Sequence, residues 1–132
     1  MTINLVVSKE GIGEISFEKE KGTFLAFTYN KEKRIIEIDV IEVKKELRRT
    51  GIGSRMLKEL ERFAKDKKVL TIIGGSTPTR EAISFWLKMG YQPDTVEDYE
   101  YTKKVLKEKD PKKAVDIPSK LIEFKKEFRY KR

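Results

Sequence analysis

Two residue types are missing altogether from this 132-residue chain, cysteine and histidine. Without cysteine there are no disulfides, no thiolate catalysis and no thiolate zinc site. Without histidine there are no imidazole metal ligands, no Ser-His-Asp triad and no histidine general base. Acid–base chemistry is left to Asp, Glu, Tyr, Lys or water. Side-chain amides are scarce too: Asn4, Asn30 and Gln92 are the whole set. Few amides, no cysteine and abundant Lys and Glu are a hyperthermophile tendency; an A/T-rich genome would leave the same mark. No run approaches 18 apolar residues, so no membrane-crossing helix is expected. Met1–Lys9 lacks the basic start and long apolar run of a secretory signal, so a cytoplasmic location is expected.

What the chain has in quantity is charge: 39% of residues are charged and the net charge is +8. The excess is uneven. Residues 1–43 hold 6 basic and 8 acidic residues, and residues 44–68 hold 10 and 4. Residues 69–102 hold 2 and 5, and residues 103–132 hold 12 and 5. Two basic segments thus stand in a nearly neutral body. They suit a polyanion such as nucleic acid, an acidic membrane surface or a phosphorylated cofactor, or else a solvated lysine surface.

The first third reads as a β meander. Ile3–Val7, Gly13–Phe17, Thr23–Tyr29 and Arg34–Val43 are short apolar or alternating runs separated by polar turns. In the last of them strict alternation puts Glu37, Asp39, Ile41 and Val43 on one face and Ile36, Ile38 and Val40 on the other. The period then changes. From Ile52 to Asp66 the apolar residues Met56, Leu57, Leu60, Phe63 and Ala64 mark an amphipathic helix. Val69–Ile73 reads as a strand closed by Gly74-Gly75. A second helix follows Pro78, with Thr77 as its expected cap and Gly90 as its end. Tyr91 opens a short strand, and Glu100–Leu106 reads as its partner. A charged linker runs over 107–116. The stripe Ile117, Leu121, Phe124 and Phe128 predicts a final helix over Pro118–Tyr130, packed on its own domain or on a partner.

The informative stretch is Val43-Lys-Lys-Glu-Leu-Arg48-Arg-Thr-Gly51-Ile-Gly53-Ser54, a strand entering a basic, glycine-bearing turn that opens a helix. Gly51 and Gly53 let the backbone curl with its N–H groups converging, and the helix start adds a positive dipole end. Arg48, Arg49 and Arg55 surround it with charge. Such a turn suits a pyrophosphate, though a tight strand–helix turn could need the same glycines. A dinucleotide fingerprint would need glycine where Met56 stands, and the Walker A pattern is absent.

A second motif follows at Ala82-Ile-Ser-Phe85-Trp86-Leu-Lys88-Met-Gly90-Tyr91. The R-x-x-G-x-G turn opening a helix, then a strand, then a helix ending A-x-x-F-aromatic-x-K-x-G-Tyr, resembles the GNAT superfamily of acetyl-CoA-dependent N-acyltransferases. The resemblance covers about Arg34 to Leu106. It implies an α+β fold with a mostly antiparallel central sheet, a splayed parallel strand pair and flanking helices, here with an extra C-terminal helix. It implies an acetyltransferase domain over 1–106 with a shortened N-terminal half, then the basic linker and helix over 107–132. In place of the one or two helices that usually shape the acceptor pocket, this chain has β-like runs.

The resemblance also implies roles. The pantetheine arm of acetyl-CoA would pair with backbone at Ile41 and Val43. The pyrophosphate would sit on Arg48, Arg49, Thr50, Gly51, Ile52, Gly53 and Ser54, and Thr79 and Trp86 would complete the cofactor wall. An amine would attack the thioester directly. The base is often nine or eleven residues before the motif arginine, which here means Asp39 or Glu37; both could equally be solvated strand residues. Where the family commonly has a tyrosine as general acid stands Trp86, which cannot deliver a proton near neutral pH. Tyr91, another tyrosine such as Tyr29, or water would then protonate the thiolate. No metal is implied. The partners expected are acetyl-CoA and an amine of a small molecule or protein, with a homodimer compatible. The rival readings are a catalytically weak acyl-CoA-binding module and a basic nucleic-acid-binding protein.

Overall fold

Alternating apolar residues and short polar turns give the first half of this computed structural model, which describes residues 2–131, its strands. They are β1 (Ile3–Val7), β2 (Ile12–Phe17), β3 (Phe24–Asn30) and β4 (Ile35–Glu42). Each pairs antiparallel with the next. Then come α1 (Ile52–Asp66), β5 (Thr71–Ser76), α2 (Arg80–Lys88), β6 (Gln92–Pro93), α3 (Val96–Leu106) and β7 (Ile122–Glu127). The hydrogen-bonded strand order is β1-β2-β3-β4-β5-β7-β6, antiparallel except for the β4–β5 pair. This is the expected α+β class with a mostly antiparallel sheet. The chain forms two units: residues up to Ile72 together with those from Glu127 onward, and Ile73–Lys126.

In the first unit the meander buries one face under α1. Ile15, Leu25, Phe27, Ile36, Met56, Leu57, Leu60 and Ala64 are fully buried. Phe63 meets Phe27 and Tyr29 at ring-centroid distances of 5.7 and 5.5 Å. The spacing of those helical residues is the amphipathic stripe of the sequence, and α1 has the expected bounds. Leu70 ties in the entry to β5: its N–H donates to Arg34 O at 2.8 Å and its carbonyl accepts from Phe128 N at 2.9 Å. The Tyr130 hydroxyl donates to Val69 O at 2.6 Å. Burial raises that phenol above its ordinary pKa, and the nearby Arg34 opposes the rise.

In the second unit Trp86 is the centre of packing. Its ring stacks on Phe124 at 6.2 Å and meets Tyr91 edge-on at 5.1 Å. The end of α2 is a Schellman motif, with Tyr91 N donating to Trp86 O and Gly90 N to Leu87 O, both at 3.0 Å. Here the structure corrects four expectations. First, Gly74 and Gly75 do not close β5 but lie inside it. A Cβ on Gly74 would come within 2.7 Å of the Trp86 ring, so glycine is needed there for close approach. Second, α2 is capped by Thr79, not Thr77: the Thr79 Oγ1 accepts from Ala82 N at 3.1 Å. Third, Glu100–Leu106 is not a strand but the end of α3. Thr95 caps that helix, accepting from Asp98 N at 3.0 Å and donating to the Asp98 carboxylate at 2.8 Å. Fourth, the extra C-terminal helix over 118–130 does not form; Ile122–Glu127 is strand β7. Ile122 and Phe124 alternate into the core while Leu121 stays 49% exposed.

The Thr79 cap yields a first prediction. Thr79→Ala should lower unfolding free energy by about 1 kcal/mol, measured by urea denaturation. Unchanged stability would show that the cap contributes nothing.

Candidate functional site

β4 and the turn after it hold most of the residues singled out by sequence. The turn is compact. Lys45–Leu47 form a single 3₁₀ turn, Arg49 has φ +65°, and Gly51 has φ +86° as the N-cap of α1. The Thr50 hydroxyl donates to Leu47 O. Arg48 folds back, its Nε donating to Val43 O at 3.1 Å, and forms no ion pair among the described residues. That contact occupies the Val43 carbonyl that was expected to meet a pantetheine.

The electrostatics of the turn favour an anion. Helix α1 starts without a side-chain cap bond and without an acidic residue in its first turn, although acidic residues are common there. A Cβ built on Gly51 would find nothing within 4 Å, so the backbone presents open space on that side. The left-handed φ is the second reason for glycine. Arg48, Arg49 and Arg55 are all exposed around it, with the Arg55 guanidinium 5.3 Å from the Phe17 ring centroid.

On β4 the structure changes the reading of the faces. Ala26 pairs with Val40, and Phe27 pairs with Ile38, so Asp39 is an extra residue, a β-bulge. The bulge reverses alternation. Ile41 pairs with buried Leu25 and therefore shares the face of Ile36 and Ile38. Glu37 pairs with Thr28 on the opposite face, and the Thr28 hydroxyl donates to the Asp39 carboxylate at 2.9 Å. Asp39 and Glu37 thus stay together, both exposed, but do not share a face with Ile41 as alternation predicted.

That second face of the meander carries Asn4, Val6, Ile12, Glu14, Ser16, Phe24, Ala26, Thr28, Glu37, Asp39, Val40 and Glu42, and neither lysine nor arginine. Val6 is 69% and Ile12 66% exposed. Thr28 also lines a depression of about 590 Å³ beyond the end of β3, bordered by Tyr29, Asn30, Phe63 and Lys67.

The remaining expected residues lie in the second unit. Thr79 spends its hydroxyl on the α2 cap. Trp86 and Tyr91 are 5% and 1% exposed and pack on each other. The bulge was missed by sequence reading because nothing local marks it. The alternating run continues through Asp39, and only the partner strand shows the extra residue.

The model of the acetyltransferase (GNAT) family matches residues 11–91. No curated protein matches the sequence. Among solved structures, PaiA N-acetyltransferase from Thermoplasma acidophilum, in complex with coenzyme A, superimposes with a TM-score of 0.59 at 16% identity. That match spans 89% of this chain but only 60% of the Thermoplasma protein. An IAA acetyltransferase from Bacillus cereus gives a TM-score of 0.65 at 15% identity, over 96% of this chain and 99% of that one. A GNAT family acetyltransferase from Elizabethkingia anophelis, with acetyl-CoA bound, gives 0.65 at 16% identity, over 96% and 97%. At these identities the likeness is one of fold.

Proposed function

Because this chain belongs to the acetyltransferase (GNAT) family, we propose that it binds acetyl-CoA and acetylates a primary amine by direct attack. The observation that carries the reading is the seat at Gly51. It combines open space over a left-handed glycine, an uncapped helix start without acid, and exposed Arg48 and Arg49. These are the donors a pyrophosphate requires. Coenzyme A or acetyl-CoA in the Thermoplasma and Elizabethkingia structures supports the same cofactor.

Bound acetyl-CoA supplies an acetyl thioester whose carbonyl carbon an amine can attack. The chain's own residues do the rest. Thr50, Gly51, Ile52, Gly53 and Ser54 hold the pyrophosphate, with Arg48, Arg49 and Arg55 neutralising it. The backbone at Ile41 on β4 and the N–H of Val43 just beyond it, whose carbonyl Arg48 takes, hold the pantetheine, and β4 N–H groups stabilise the carbonyl oxygen as charge develops there. Asp39 takes the proton from the incoming ammonium, directly or through a water, with Glu37 beside it. A face bearing Glu14, Glu37, Asp39 and Glu42 and no cation attracts a protonated amine. Tyr91 is assigned the return of a proton to the departing thiolate; unchanged turnover in Tyr91→Phe would give that step to water.

The test has two stages. Acetyl-CoA at millimolar concentration should raise the melting temperature, whereas NAD should not. Thiol release should then appear with at least one member of a panel of small-molecule amines and lysine peptides. No shift with acetyl-CoA refutes the binding reading. A shift without thiol release across the panel would leave an acyl-CoA-binding module.

A further inference from the structure

Helix α1 presents a second face unrelated to the seat at its start. Lys58, Arg62 and Lys65 are exposed at i, i+4 and i+7, one line along the helix. With a rise of about 1.5 Å per residue they succeed one another every ~4.5–6 Å. The line continues past the helix end. Lys68 Nζ lies 4.9 Å from the Tyr130 ring centroid and Lys65 Nζ 6.0 Å from that of Phe128. Arg34 joins them, its Nε donating to Lys68 O at 2.9 Å.

Most of this charge is uncompensated. Among the described residues Lys58, Lys65, Lys68 and Arg34 form no ion pair; Arg62 meets Glu59 at 3.4 Å. Glu61, buried on α1 between Lys58 and Lys65, Glu32, two residues before Arg34, and Asp66 and Glu127 are the other acidic residues close by in sequence. All the residues involved belong to the first unit. The α1 dipole favours cations at its C-terminal end, which accounts for Lys65 and Lys68 but not for Lys58, near the middle of the helix.

We propose that this basic line, running from Lys58 along α1 to Lys68 and Arg34, binds the phosphate backbone of double-stranded nucleic acid without reading bases. A linear row of cations, four of its five without an ion pair among the described residues, matches a rod of regularly spaced phosphates. An anionic membrane fits less well. Phe128 and Tyr130 are half-buried beneath lysine ammonium groups, so Leu70, 40% exposed, is the apolar side chain left to insert. Phosphate contacts of this kind fix position on the duplex without reading its sequence. The inference does not depend on acetyl transfer.

The experiment is fluorescence anisotropy of the full chain with a fluorescein-labelled DNA duplex of about 24 base pairs and arbitrary sequence. Binding should be micromolar at about 50 mM salt. With about four phosphates neutralised, the slope of log K against log salt should be about −3.6. The triple variant Lys58→Gln, Lys65→Gln, Lys68→Gln should bind at least tenfold more weakly, with a slope shallower by about 2.7. It should keep the wild-type melting temperature within a few degrees and the full acetyl-CoA shift. If that variant fails to fold, Lys58→Gln alone, away from both aromatic rings, should still make the slope shallower by about 0.9. Absence of duplex binding at low salt overturns the proposal. So does binding with an unchanged slope in a folded variant, and so does binding to vesicles of anionic phospholipid without binding to the duplex.

Discussion

Asp39→Asn is expected to lower the acetylation rate about 10²-fold or more while acetyl-CoA binding is kept, as loss of a general base does. The substitution keeps the shape of the side chain, and the Thr28 hydroxyl can still donate to the amide oxygen, so the bulge should hold. What disappears is a carboxylate able to accept the proton of an ammonium. In a chain without histidine or cysteine, few groups can replace it. Steady-state thiol release with a fixed amine checks the rate, and the acetyl-CoA melting shift checks binding. Glu37→Gln, on the same face but paired with Thr28 within the regular ladder, should do less. Wild-type rates in both single variants and in the double would remove both carboxylates from the mechanism and imply that the amine arrives already deprotonated.

Gly51→Val should abolish the acetyl-CoA melting shift. A β-branched residue at φ +86° is strained, and its side chain would fill the space now open over the turn. The two causes can be separated. Gly51→Asn tolerates the left-handed conformation, so it should fold with near wild-type stability yet still lose most of the shift, because its side chain enters the same space. Isothermal titration with acetyl-CoA gives the direct reading. Full binding in both variants would place the pyrophosphate away from this turn.

How much was legible in the residues follows from where each signal lies. Helix α1 was readable to its ends because its apolar positions repeat at 3.6 residues and a glycine turn precedes it. The turn itself was readable because Arg48, Gly51 and Gly53 are contiguous and their chemistry is local. Together with the Ala82–Tyr91 segment they were enough to identify the family. The tail was not legible in this way. Ile117, Leu121, Phe124 and Phe128 fit a helical stripe, while Ile122, Phe124, Lys126, Phe128 and Tyr130 fit a period of two. The same Phe124 and Phe128 serve both patterns. Pairing decides between them: Phe128 N bonds to Leu70 O, and Phe124 lies flat on Trp86. Likewise Thr95 and Asp98 form a local capping box that starts α3, a signal present in the sequence but outweighed there by the apparent strand of Glu100–Leu106.

The sequence by itself determined the chemistry open to this protein. It left acid–base work to carboxylates, tyrosine and water, set an anion-seeking turn at Arg48–Ser54, and put two carboxylates on one strand. Tertiary structure alone decided which way those carboxylates face. A bulge is a relation between two strands, one extra residue on β4 against β3, and no single strand carries its mark. By absorbing Asp39 it turned Ile41 toward the core side and kept Asp39 with Glu37 on the open, cation-free face. It also takes a fold to bring Arg34, distant in the chain, to the end of the α1 line, where its carbonyl accepts from Leu70 N and its Nε donates to Lys68 O.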